Sequence, residues 1–187
     1  LSAARDDIDR RAPTRNEVLG TYAQIIDPVL DLDRTADDLA AAPGLATRLG
    51  SYQALSRALQ EVVVEQELVR SVFAGGWIDA ATYDRLVNAV AQQRVWLEQF
   101  ERDADAGQLT RYAKAVGLPD TAAATRLREQ ALAGGPDSFV DGNAGAWSSA
   151  MDRKIEVLED IAGDTAGELA AAADRRRTAA AGRLDRS

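Results

Sequence analysis

The chain has 187 residues, and hydrophobic residues make up 46% of them, so it can build one domain with a sizeable core. Its formal net charge of -8 argues against nucleic acid as a partner, because a phosphate backbone requires a basic face. The sequence contains no cysteine and no histidine. Disulfides and Cys-based zinc sites are therefore excluded, and the commonest general base and metal ligand is missing, so we expect neither an enzyme nor a cofactor.

The first predicted element covers residues 14–40, where apolar residues recur at steps of three and four. Thr14, followed by Glu17, fits a capping box at the start of this amphipathic helix. Pro28 lies inside the run and removes one backbone hydrogen bond, so we expect a kink or a break there.

A second helix is predicted over residues 45–74, although it includes the valine triplet at 62–64, whose local propensity favours a strand. The helical spacing of apolar residues continues for many turns around the triplet, and a sustained pattern outweighs local propensity. The glycine pair at 75–76 is expected to end this helix.

Asp79 is predicted to cap a third long helix, which covers residues 80–104. Two shorter helices are predicted within residues 106–133, the second of them opened by Pro119. Residues 134–146 have the composition of a loop.

The last long helix is predicted to begin near Ala146, and its large apolar residues end before the Ala/Arg-rich tail at 174–187, which we expect to project or fray. Four long helices with compact connections predict an all-α fold. The expected architecture is an antiparallel four-helix bundle of long helices, with a short helical hairpin inserted at about 106–133.

Four polar side chains are predicted to face the interior of this bundle and are the candidate ligand-binding residues: Gln66, Arg70, Arg94 and Lys154. The glutamine shares its predicted stripe with Val63, and Arg94 lies between Val90 and Leu97 at helical spacing. A buried cation without a partner is costly, so each must meet a carboxylate, extend to solvent or line a polar pocket. No catalytic or metal-binding residue is predicted.

A family resemblance is carried by the order and spacing of four segments: EVLGTYAQIIDPVLDL, LSRALQEVVVEQELVRSVFAGGWID, YDRLVNAVAQQRVWLEQFERDA and MDRKIEVLEDI. Together they resemble the nitrate- and nitrite-sensing (NIT) domain of actinobacterial sensor histidine kinases, including those of conservon operons. The resemblance covers most of residues 1–173. Relatives carry an arginine linked with anion binding upstream of the glycine that ends the long helix. That position is occupied here by Gln66, and Arg70, one turn on, is the residue that could replace the arginine.

The resemblance implies a sensor domain on the extracytoplasmic face of the cell membrane, flanked by transmembrane helices and followed by a kinase-like region. No run of about 18 apolar residues occurs, so such helices would lie outside this chain, whose first residue is not methionine. The expected ligand is a small molecule or an anion. The full-length kinase could form a homodimer. The alternative is a ligand-free helical ectodomain for protein interaction or dimerisation.

Overall fold

The structure is a computed structural model that describes residues 43–184, and the predicted helix at 14–40 lies outside the described residues. The chain divides into two compact units, one made of residues 1–43 and 173–187 and the other of residues 44–172. The elements are α1 (Pro43–Gly75), β1 (Trp77–Ile78), α2 (Ala80–Asp103), α3 (Ala106–Val116), α4 (Pro119–Leu132), β2 (Ser138–Phe139) and α5 (Ala144–Leu184).

Helix α1 contains the valine triplet, so the helical prediction for residues 62–64 is confirmed. Its buried seam repeats at steps of three and four and comprises Leu55, Leu59, Val62, Glu65, Val69 and Val72. The helix ends because Gly76 adopts a φ of 66°, which glycine reaches without a steric penalty, and its N–H donates to the carbonyl of Val72 at 2.8 Å.

Two aspartates set where the next helices begin. The side chain of Asp79 accepts a hydrogen bond from the Thr82 N–H and caps α2, as predicted. Asp105 and Gln108 form a reciprocal capping box at the start of α3. Gln108 is buried and also donates to the Thr165 hydroxyl at 3.3 Å, so the cap joins α3 to α5.

The two short helices predicted within 106–133 are confirmed, with Pro119 in the first turn of α4. The segment after α4 is not wholly a loop, because Ser138–Phe139 pairs antiparallel with Trp77–Ile78. Helix α5 begins at Ala144, two residues before the predicted start, and the Asn143 side chain accepts a hydrogen bond from the Ala146 N–H.

The core of residues 44–172 is formed by aliphatic side chains of α1, α2 and α5 around Trp147. Its indole is fully buried, meets the Phe73 ring edge-on at 6.3 Å between centroids, and donates to the Gln66 carbonyl at 2.9 Å. The indole therefore connects α5 to α1 in two ways, through its N–H hydrogen bond and through its apolar contact with Phe73.

The described chain is all-α apart from the single two-stranded ladder, which confirms the predicted fold class at that level. The Ala/Arg-rich tail is helical from residue 174 to Leu184, because α5 continues to that residue. None of the described helices is long and apolar enough to cross a membrane.

Candidate functional site

Four helices bring charged and amide side chains together around one buried carboxylate, that of Glu65. This glutamate lies on the seam of α1 between Val62 and Val69, and its side chain has no exposed surface. The amide of Gln93, on α2, donates to Glu65 Oε2 at 2.7 Å and to the carbonyl of Glu61 at 3.2 Å. The amide thus fixes the carboxylate from one side.

Lys154, on α5, approaches the same carboxylate from another helix. Its ammonium nitrogen lies 3.5 Å from Glu65 Oε2 and 3.5 Å from Gln93 Oε1. The lysine side chain is only 12% exposed. Burial lowers the pKa of Lys154, and Arg128 adds to the decrease, while Glu65 opposes it by favouring the charged form.

Arg128, on α4, provides the second cation. Its Nη1 lies 3.5 Å from Glu65 Oε1, and its side chain is 19% exposed. Oε1 accepts no hydrogen bond within the described part of the chain, so its contact with the guanidinium is a loose ion pair. We call the group of Glu65, Gln93, Arg128 and Lys154 the polar network.

The polar network carries an excess of positive charge. Among residues 43–184, Glu65 is the one carboxylate within 4.0 Å of either cation, so two cations share one anion. Three contacts of 3.5 Å are long for charge-assisted hydrogen bonds, which are typically about 2.7–2.9 Å. Counted over the residues that the structure describes, the network therefore has two cations for one carboxylate and a formal net charge of one positive unit, close to a solvent edge at Arg128.

Of the four predicted ligand-binding residues, Lys154 is the one that the structure places inside this network. Gln66 is half-buried at its margin, where its amide donates to Asp152 Oδ1 at 2.7 Å. Gln66 therefore links α1 to α5 without reaching Glu65 through a hydrogen bond that the structure records.

The predicted inward orientation of the two arginines is wrong. Arg70 is 56% exposed and pairs with Glu67 on its own helix, and Arg94 is 82% exposed and pairs with Glu98 at 2.8 Å. The reason is helical register, because each arginine follows a buried position, Val69 or Gln93, and the next residue on a helix is rotated by about 100°.

The sequence prediction missed Glu65, Gln93 and Arg128, although each lies on a buried seam at helical spacing. Glu65 follows Val62 by three residues, and Arg128 falls four residues after Ala124 and three before Ala131, both of which are buried. The predicted stripe included Val63, which is 45% exposed, and so was displaced toward Gln66. A predicted buried face that included positions 62, 65, 69 and 72 would have identified Glu65.

A concavity separate from the polar network lies between α1 and α2 and has a volume of about 230 Å³. It is an open groove in which the Arg57 guanidinium stacks on Trp96, 4.7 Å from the ring centroid. Its charged groups belong to an exposed surface, in contrast to the buried polar network. No cluster of three or more residues that could hold a metal ion occurs between residues 43 and 184.

A comparison with family models matches residues 1–170 to the family described as nitrate and nitrite sensing, so the chain belongs to the NIT family and is a sensor domain. This confirms the resemblance predicted from the sequence. No curated protein and no solved structure matches the chain.

Proposed function

We propose that this domain binds a small monovalent anion, with nitrate and nitrite as the first candidates, at the polar network. One observation carries the proposal: among residues 43–184, two largely buried cations from different helices, Arg128 and Lys154, share a single carboxylate. An excess buried charge is costly, and an anion that accepts hydrogen bonds from both cations offsets that cost. Membership of the nitrate and nitrite sensing family supports this class of ligand.

Signalling follows from the position of the two cations. Lys154 lies near the start of α5, which continues to Leu184, and Arg128 lies on the hairpin helix α4. A ligand that bridges them favours arrangements in which α4 and α5 hold the cations at the right separation. The shift of α5 is the output, which would be passed across a membrane to a histidine kinase region outside this chain.

The proposed setting is the extracytoplasmic face of the cell membrane, with the sensor domain at residues 1–173 and a membrane-proximal tail at 174–187. The helix predicted at 14–40 would complete an antiparallel four-helix bundle with α1, α2 and α5. Family membership and the sequence periodicity support this arrangement.

Exposed apolar groups favour a second candidate function, a surface for protein interaction or dimerisation. The Phe139 ring on β2 is 87% exposed and stacks edge-on against Trp77, with 4.9 Å between centroids. Aromatic side chains that are exposed in this way are enriched at protein interfaces. The two functions are compatible, because the ladder and the polar network involve different residues.

Calorimetric titration of the purified domain with nitrate, nitrite and sulfate at constant ionic strength tests the ligand proposal. We expect nitrate or nitrite to bind with a stoichiometry of one, and Lys154→Met to weaken binding by roughly tenfold or more, because a buried charge-assisted contact is lost. Arg94→Met is the matched control and should bind as the wild type does, since Arg94 is 82% exposed. Absence of binding across the monovalent anions, or equal losses in both variants, would contradict the proposal.

A further inference from the structure

We propose that Glu65 is a built-in competitor for the sensed anion and thereby sets both its affinity and its charge selectivity. This inference rests on the proposed function, since it concerns the same polar network. Glu65 touches the ligand-binding cations without being needed to bind the ligand, so it acts by opposing the anion rather than by recognising it.

The geometry shows that the carboxylate occupies the position of an anion. Its Oε2 faces the ammonium of Lys154 and its Oε1 faces the guanidinium of Arg128, each at 3.5 Å. A carboxylate presents two oxygens in one plane, as nitrate and nitrite also do, so all three can accept from the same pair of cations. Glu65 is a residue of α1 and cannot dissociate, so it always faces the two cations. Its contacts with them are nevertheless long.

The contacts leave room for competition because they are incomplete. A lysine ammonium has three donors and a guanidinium has five, whereas a single carboxylate faces both cations among residues 43–184. Glu65 Oε1 has no hydrogen-bond partner within that range. Within the described residues the two cations have more donors than recorded acceptors, and an incoming anion can use the remainder, while repulsion from Glu65 limits how tightly it binds.

Charge balance gives the selectivity. With Glu65 ionised, the polar network carries one net positive charge, which one monovalent anion neutralises and which a divalent anion would reverse. Replacing Glu65 by glutamine raises the net charge to two, and this favours a divalent anion more than a monovalent one. The glutamate therefore discriminates against sulfate even though it contributes nothing attractive to nitrate.

The test compares Glu65→Gln with the wild type in calorimetric titrations with nitrate and with sulfate at constant ionic strength. We expect roughly tenfold tighter nitrate binding in E65Q, from removal of a nearby like charge, and a larger gain for sulfate. A purely structural role for Glu65 would not produce tighter binding. The matched control is Glu67→Gln, because Glu67 lies on the same helix, is 57% exposed and pairs only with Arg70 among the described residues.

Each outcome separates this inference from the proposed function. Unchanged or weaker binding of nitrate by E65Q, with binding by the wild type, overturns the competitor role and leaves anion sensing intact. If E65Q binds nitrate and the wild type does not, the competitor role is supported and nitrate sensing by this domain is contradicted. If neither the wild type nor E65Q binds an anion, both proposals are overturned.

Folding of the variant gives a second readout, because E65Q removes the one carboxylate among residues 43–184 that pairs with the two largely buried cations. Should E65Q fail to fold in anion-free buffer, the competitor role requires nitrate to restore a cooperative thermal transition. An E65Q chain that stays unfolded in nitrate overturns the role.

Discussion

At the scale of single residues, Lys154 is the most informative group, because the chain contains only two lysines, Lys114 and Lys154. Burial lowers the pKa of Lys154 below the ordinary value of 10.5, with Arg128 acting in the same direction and Glu65 against it. In a protein labelled with ¹³C at the lysine Cε, the Lys154 signal is assigned by its loss in Lys154→Met, and we expect this signal to titrate with a pKa below 10.5. A Lys154 signal titrating at or above 10.5 would contradict the buried placement.

The same pKa change predicts how Lys154 affects stability. Between its lowered pKa in the folded state and 10.5 in the unfolded state, the unfolded chain binds more protons. The contribution of Lys154 to the free energy of unfolding therefore increases as the pH rises through that window. Anion affinity should fall over the same range, because neutral Lys154 loses its charge-assisted contact.

The sequence could predict a polar interior but not which residues occupy it. Lys154 was identified because Met151 and Leu158 bracket it clearly, and both are buried. Glu65 and Gln93 were missed by one position each, in favour of Gln66 and Arg94. A one-residue error on a helix rotates a side chain by about 100°, and exposed valines blur the boundary of the stripe.

At the scale of elements, replacing a glycine by alanine should have opposite effects on stability at two positions. Gly163, inside α5, should tolerate alanine, whereas Gly142, in the segment before α5, should not. Gly163 lies in the helix interior, and a Cβ built there meets no atom of the described residues within 4 Å. Gly163→Ala should therefore raise the free energy of unfolding by about 0.5–1 kcal/mol, the usual difference in helix propensity. Urea denaturation at constant pH measures the change.

Gly142→Ala is the opposing variant, because a Cβ at Gly142 would collide with the ring of Phe73. That ring is buried against Trp147, so it cannot move away freely, and overpacking of this kind costs about 1–3 kcal/mol. Equal effects of the two alanines would show that the packing at the start of α5 differs from the structure described here.

Helix positions were more predictable than the short ladder. Long periodic runs with strong end signals, such as the glycine pair at 75–76 and the cap at Asp79, defined α1 and α2 correctly. The pairing of β1 with β2 was missed because strands of two residues carry no periodicity, and their pairing depends on residues about sixty positions apart.

At the scale of the whole molecule, the sequence is acidic, whereas the polar network is locally cationic. The formal net charge is -8, whereas the polar network has two cations and one carboxylate. The field of an acidic chain should repel anions at low ionic strength, so the proposed anion would have to be attracted at short range. This contrast favours a small anion over a large anionic partner as the proposed ligand.

The most direct test of the anion-sensing account is a nitrate titration of the lysine-labelled domain at constant ionic strength, followed by NMR. The account predicts a saturable shift of the Lys154 signal and none beyond the ionic-strength background for the exposed Lys114. Equal, non-saturating shifts of both lysines, or no shift of Lys154, would contradict it.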